Sequence, residues 1–225
     1  MCIRDRVETG LLPEETTQLV QIGDLVSFAQ EPLDLSQDYL AGHSLDNRAS
    51  ITALTACLEE LQNRPHRWDI WAVASVQEEQ TLAGAVTSAF SIHPDLAVAV
   101  DVTFGRGAGG PGDYRTFPLG KGPTLGWGPN IHPGVYGAFK DLAQQLSMAF
   151  GTELMPKHSG TDAMGMQVAA EGIPTMVLSI PIRYMHTPIE VVSMQDIASA
   201  GHLMAEFTAR LDASFLQNLS LDGRA

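Results

Sequence analysis

Cysteine is nearly absent from this chain of 225 residues, with two in all, which excludes a disulfide framework. Cys2 and Cys57 form no CxxC pair, and Cys57 sits among Ala53, Leu54, Ala56, Leu58 and Leu61 at helical spacing, so it reads as a core residue. Basic residues are scarce as well. Lys plus Arg number 13 against 26 Asp plus Glu, a formal net charge of −13, and such a surface repels the phosphates of nucleic acid and of anionic lipid. Neither is expected as a partner. No apolar run approaches the ~18 residues of a membrane span, and Met1 to Gly10 holds charges without the apolar centre of a secretory signal. The chain therefore reads as cytoplasmic, where the sequon Asn218-Leu219-Ser220 has no compartment in which to be glycosylated.

What is present is a hydrophobic content of 44% with 17% charged residues, the balance of one globular domain or one and a fraction. Residues 7 to 40 contain Leu19 to Ile22 and Leu25 to Phe28, split by Gly23-Asp24, which predicts a small β segment with a hairpin turn. From Asp46 helices and strands alternate. A helix is expected over Asn47 to Gln62, ending before Pro65, and a short one over Thr81 to Ser91. Longer helices are expected near Val135 to Phe150, at Asp162 to Glu171, and from Met194 to Phe215 with Ser193 and Asp196 at capping-box spacing. Trp68 to Val76, Asp95 to Val102 and Pro174 to Ile180 are apolar runs of strand length. Strands apolar on both faces and separated by helices predict an α/β fold, a mixed and mostly parallel sheet with helices on both faces.

Ligands in such sheets gather beyond the carboxyl ends of the strands. The strand ending at Val76 runs into Gln77-Glu78-Glu79, the strand through Val100 ends on Asp101, and the strand ending at Ile180 leads to His186. Asp46 stands just ahead of the first long helix. Carboxylates and an imidazole delivered by separate loops suit a divalent metal, because Asp, Glu and neutral His supply the O and N ligands that Zn²⁺, Co²⁺ or Mn²⁺ accept. Two ions sharing a bridging carboxylate can activate water and polarise a carbonyl, while a carboxylate outside the ligand set moves the proton. Glu78 and Glu79 offer one residue for each task.

Other motifs carry less. Gly105-Arg106-Gly107-Ala108-Gly109-Gly110 matches GxGxxG after a strand, but Pro111, Gly112 and Asp113 follow in place of a helix, so no dinucleotide site is expected. There is no P-loop lysine pattern, no HExxH and no GxSxG. His66, His93 and His202 read as surface or structural residues, and His132 and His158 as loop residues.

Taken together, Leu45-Asp46-Asn47-Arg48, Val76-Gln77-Glu78-Glu79 with Gly84-Ala85, Val100-Asp101-Val102, Leu119-Gly120-Lys121-Gly122-Pro123, Ser159-Gly160-Thr161-Asp162-Ala163 and Ile180-Pro181-Ile182-Arg183-Tyr184-Met185-His186-Thr187-Pro188-Ile189-Glu190 resemble the M42 family of dinuclear metalloaminopeptidases. These are the glutamyl and leucyl aminopeptidases that form tetrahedral dodecamers and are sometimes labelled cellulase M. The resemblance covers about residues 20 to 210. It implies a zinc-peptidase-like fold and two divalent ions per subunit, Zn²⁺ or Co²⁺ with Mn²⁺ as a further candidate. Peptides would be the substrates, and the complete protein would be a homo-oligomer, from dimer to dodecamer. It implies that Asp46 bridges the ions, that Glu79 and His186 complete one site, that Asp101 belongs to the other, and that Glu78 is the general base. Arg106, Lys121, Gly160 and Thr161 fall in the loops that shape the family's substrate pocket.

The family also begins with a His-x-Asp segment whose histidine is a metal ligand, and this sequence has no equivalent. The resemblance thus implies an N-terminally truncated chain, with residues 1–42 the remnant of an inserted β dimerisation domain and residues 43–225 a catalytic domain lacking its first strands. Metal affinity at the site containing Asp101 would then be weak, which puts the activity of the chain as written in doubt. A chain acting only through assembly is the alternative from another class. A glycoside hydrolase is the other alternative, but it needs two carboxyl groups about 5 to 9.5 Å apart across a cleft. Such clefts are usually lined by aromatic residues, and this chain has three Trp.

Overall fold

The computed structural model describes residues 8–36, 38–107 and 112–219. Cys2 and residues 108–111 of the glycine-rich stretch lie outside them. In chain order the elements are α1 (Pro13–Leu19), β1 (Leu33–Leu35), β2 (Tyr39–Gly42), α2 (Leu45–Leu61), α3 (Glu78–Thr81), α4 (Ala83–Ile92), β3 (Ala97–Phe104), β4 (Thr124–Trp127), α5 (Pro133–Gln145), β5 (Gly151–Leu154), α6 (Asp162–Gln167), β6 (Thr175–Arg183), β7 (Glu190–Ser193) and α7 (Met194–Arg210), closed by a 3₁₀ turn at Leu216–Asn218.

Strand β6 is the axis of the sheet because its residues from Thr175 to Ile182 are all buried, and a strand covered on both faces needs partners on both edges. Along one edge it pairs in parallel with β3, from Ala97↔Thr175 to Phe104↔Ile182. Its other edge is divided between β4, at Leu178 and Ser179, and β7, at Ile182 and Arg183, both antiparallel. Beyond these the sheet continues through β2 and β1 on one side and β5 on the other.

The mixed α/β architecture agrees with the expectation from the sequence, but the balance of strand directions does not. Four of the six ladders are antiparallel, and only β3–β6 and β4–β5 are parallel. Short strands cause the difference, since β2, β4, β5 and β7 have four residues each, too few for a period to register. Strand β2 lies within residues 1–42 and pairs with β7 of the main sheet.

Other expectations shift in detail. The turn at Gly23-Asp24 forms, with the Asp24 N–H donating to the Gln21 carbonyl and Gly23 at a φ of +102°, but no strands flank it. Ile22 and Leu25 are fully exposed. Helices α5, α6 and α7 end earlier than their apolar patterns do. The largest departure is Trp68 to Val76, which is no strand. Among the described residues its stretch from Asp69 to Ala74 makes no backbone hydrogen bond, and Trp71 is 69% exposed.

Helix α2 packs along α7, and α7 also meets α5, whereas α4 packs on α6. The first contact is close because residue 201 is glycine. A Cβ there would meet the Ala53 carbonyl oxygen at 2.7 Å and the Ala56 Cβ at 3.0 Å. At the end of α7, Glu206 accepts from Arg64 at 2.6 Å and lies 2.5 Å from Arg210, with His202 and Glu60 nearby. The Arg64 hydrogen bond holds the Glu206 carboxyl below its ordinary value.

This packing can be tested in two ways. Gly201→Ala forces backbone apart and should lower stability by about 1–3 kcal/mol in urea unfolding; an unchanged midpoint would show that α2 and α7 can separate freely. Because the Glu206 carboxyl titrates lower in the folded than in the unfolded chain, its contribution is present above the unfolded value and lost as pH falls through the folded one. Glu206→Gln should therefore be less stable than the parent at pH 7, with the gap closing in acid below the ordinary glutamate range.

Candidate metal centre

The site is organised around Glu190, the first residue of β7 and 2% exposed. Its Oε2 accepts the Leu45 N–H at 2.7 Å and the Asp46 N–H at 3.1 Å, and its Oε1 accepts the His186 N–H at 3.0 Å. One buried carboxylate thus fixes the start of α2 and the loop between β6 and β7. Both segments need such holding. Ser44 has φ 53°, Tyr184 φ 61° and His186 φ 63°, left-handed conformations that cost non-glycine residues about 1–3 kcal/mol each.

The clamp brings Asp46 and His186 together, with His186 Nε2 at 3.1 Å from Asp46 Oδ2. Glu79 joins them from α3 at 3.5 Å from His186 Nε2, and one ligand atom from each of the three lies within 4.8 Å of the others. The chain reaches Glu79 through Gln77, whose φ of 61° ends the extended stretch, and through Gly84, whose N–H donates to the Val76 carbonyl. Only glycine fits there, since a Cβ would meet Val76 backbone atoms at 2.4 Å.

Asp101 and Glu78 line the same cleft as Asp46 and Glu79. Asp101 Oδ1 accepts from Asn47 Nδ2 at 2.9 Å and from the Val102 N–H at 2.8 Å. Burial, opposed by that N–H and aided by the charges of Glu78, Asp46 and Asp162, holds its carboxyl well above the ordinary range. Burial and then Glu79 push Glu78 up to about 7, and burial, Glu79 and Glu190 push Asp46 up to about 6, with His186 pulling the other way in both. Carboxylates crowded until their protonated forms are favoured are the groups that a dication relieves. Two carboxylates and an imidazole are also the hard and borderline donors that Zn²⁺, Co²⁺ and Mn²⁺ accept, so these residues fit a metal ion.

Residues 6–203 match the family of M42 glutamyl aminopeptidases. The chain belongs to that family. It is 39% identical to the lysyl aminopeptidase of Pyrococcus furiosus over 178 residues, 79% of this chain and 50% of that protein. An aminopeptidase from the archaeon Desulfurococcus kamchatkensis superposes with a TM-score of 0.82 at 29% identity, covering 92% of this chain and 59% of the other. The TET1 peptidase of Pyrococcus horikoshii, which assembles into a tetrahedron or a large octahedral shell, superposes with a TM-score of 0.73 at 25% identity, covering 88% and 58%. The chain thus spans about half the length of the curated relatives it matches.

The other residues singled out from the M42 motifs have different surroundings. Thr161 caps α6, accepting from the Ala163 N–H and exchanging a hydrogen bond with Ser159, which Asn130 holds in turn. Gly160 precedes it at φ +70°. This turn aims Asp162 into the cleft, where it accepts from the Ser75 hydroxyl and its second oxygen is buried without a partner. Lys121 is exposed, and its loop is tied to α7 by the fully buried Asp196, which accepts from the Gly120 and Gly122 N–H groups at 2.7 Å. Arg106 packs over Gly112, and its carbonyl accepts from Arg183. Glu190 and Asp162 carry no role in the sequence reading. Both lie inside the motifs that carry the resemblance, Asp162 next to Thr161 and Glu190 four residues after His186.

Removing the clamp should be costly. Glu190→Ala leaves three N–H groups without their acceptor, and at about 1–3 kcal/mol for each unsatisfied group the chain should lose about 3 kcal/mol or more in urea unfolding. A loss below about 1 kcal/mol would mean that Asp46 and His186 are held by something else.

Proposed function

We infer that this chain carries the metal-binding residues of a metal-dependent aminopeptidase that releases N-terminal residues from short peptides. The observation that carries the reading is the convergence of Asp46, Glu79 and His186 from three separate elements in a chain of the M42 family. Asp46, Glu79 and His186 would hold one ion, and Asp101, which reaches the same cleft beside Asp46, would share Asp46 in holding a second. Zn²⁺ or Co²⁺ would supply Lewis-acid polarisation of the scissile carbonyl and would lower the pKa of water. Glu78, the neighbour of Glu79 and outside the ligand set, takes the proton from the attacking water as the C–O bond forms. It returns that proton to the amine nitrogen as the C–N bond breaks. Asn47 holds the Asp101 carboxylate, and Glu190 holds the backbone of Asp46 and His186, so both act by positioning.

The turn at Gly160-Thr161 leads into Asp162, which lines the cleft, and is proposed to meet the peptide backbone. Assembly is proposed by analogy with the Pyrococcus horikoshii relative, which can form a tetrahedron or an octahedral shell, and the shortage of cysteine supports a reducing, cytoplasmic setting. No helix among the described residues is long and apolar enough to cross a membrane.

Elemental analysis after Zn²⁺ or Co²⁺ loading and desalting tests the ligand set. The chain should retain the ion, His186→Ala and Glu79→Ala should each lose it, and Glu78→Gln should retain it while releasing N-terminal amino acid at least ~100-fold more slowly. Retention unaffected by His186→Ala, or full activity of Glu78→Gln, would overturn the assignment.

A further inference from the structure

Helix α6 touches the segment that carries Glu78 and Glu79 at both of its ends. Before the pair, the Ser75 hydroxyl donates to Asp162 Oδ2. After it, Gly165 lies against Leu82, the residue between α3 and α4. A Cβ on Gly165 would meet the Leu82 Cβ and carbonyl oxygen at 3.4 Å and the Val86 Cγ2 at 2.9 Å. Asp162 and Gly165 stand three apart in the helix and so share one face. That face spans residues 75–82.

The helix is a firm support. It rests on β3 and β6, Ala163 is fully buried, and its first turn is fixed by the Thr161 cap and the Asn130–Ser159 hydrogen bonds. The segment it holds has little support of its own. From Asp69 to Ala74 no hydrogen bond is made among the described residues, and from Asp69 to Gln80 every residue except Ser75 and Glu78 is exposed. The Gly84–Val76 bond ties the segment to α4, which itself packs on α6.

An acidic residue in the first turn of a helix is ordinary, but Asp162 is half-buried and lines the cleft with Glu78 and Asp101. Burial holds its carboxyl above the ordinary range, opposed by the Ser75 hydroxyl, and its charge adds to burial in raising Glu78 and Asp101. A carboxyl so costly to itself and its neighbours needs a return. The contact it makes is Ser75.

We propose that Asp162 is a positioning residue of the metal centre. Through the Ser75 hydroxyl it holds residues 75–82 on α6, and so sets where Glu79 and Glu78 stand relative to Asp46 and His186. This role rests on the reading of Asp46, Glu79 and His186 as metal ligands. With Ser75 fastened, Glu79 is in place before an ion arrives. With it free, binding must order the segment first, at a cost in conformational entropy.

Ser75→Ala removes the hydrogen bond and changes no charge, which makes it the first variant to measure. Co²⁺ affinity is read by competition with a chromophoric chelator, together with the visible absorption of the bound ion. Ser75→Ala should bind Co²⁺ at least ~10-fold more weakly than the parent with an altered spectrum, and Ser75→Thr, which keeps the hydroxyl, should restore both. In the double-mutant cycle, adding Ser75→Ala to Asp162→Ala should weaken binding no further. In chelator, with no ion present, amide exchange at Gln80, Thr81 and Leu82, whose N–H groups donate to the Gln77 carbonyl, should quicken in Ser75→Ala while β6 stays as slow as in the parent. Equal affinity in Ser75→Ala, a loss that Ser75→Thr does not restore, additive losses in the cycle, or faster exchange throughout β6 would each overturn the proposal. A parent that binds no Co²⁺, or His186→Ala binding as tightly as the parent, would overturn the ligand set and this role with it. Loss in His186→Ala with parental affinity in Ser75→Ala would overturn this role alone. Should Asp162→Ala not fold, the two Ser75 variants decide.

Discussion

A single buried carboxylate sets the geometry on which the rest of the site depends. Glu190 takes N–H groups from Leu45, Asp46 and His186, so two chain segments about 140 residues apart are positioned by the same pair of oxygens. Charge-assisted hydrogen bonds of this kind are roughly twice as strong as neutral ones, and here they offset left-handed backbone at Ser44 and His186. The same negative charge presses on Asp46 and helps to hold its carboxyl toward the protonated form. The clamp therefore both places Asp46 and raises the cost of its charge, a combination that favours a cation nearby.

The two sides of the site differ in how firmly they are held. Asp46, Asp101 and His186 are tied to β7, β3 and the start of α2 through Glu190 and Asn47. Glu78 and Glu79 sit on the one-turn helix α3, which hangs from the unladdered stretch Asp69 to Ala74 and is fastened by the Gly84–Val76 and Ser75–Asp162 hydrogen bonds. Regions with few buried contacts and exposed backbone open at low free energy. Glu79 is thus the member of the triad whose placement depends least on the sheet.

Much of this was legible in the sequence because the rule that strand ends converge needs only the strands and the residues just beyond their carboxyl ends. That rule reaches His186 in the loop after β6, whereas Asp101 lies inside β3, three residues short of its end; Cys57 is buried, as its helical spacing predicts. Glu190 was not legible, since accepting backbone N–H groups from 145 residues away leaves no local pattern. Trp68 to Val76 failed for a different reason. Its composition reports that the segment is suited to burial between neighbours, whereas the ladder itself depends on a partner, and none of the described residues supplies one. The predominance of antiparallel ladders was hidden in four-residue strands such as β4 and β7, whose direction is set by the turns and neighbours around them.

The apolar segment Trp68 to Val76 is also the arm that carries Glu78 and Glu79. An ion held by Asp46 and His186 on the firm side and by Glu79 on the loose side would draw α3 toward the sheet. Ordering that arm costs conformational entropy, so the affinity of this site for an ion would depend on how α3 is fastened as much as on the ligands themselves.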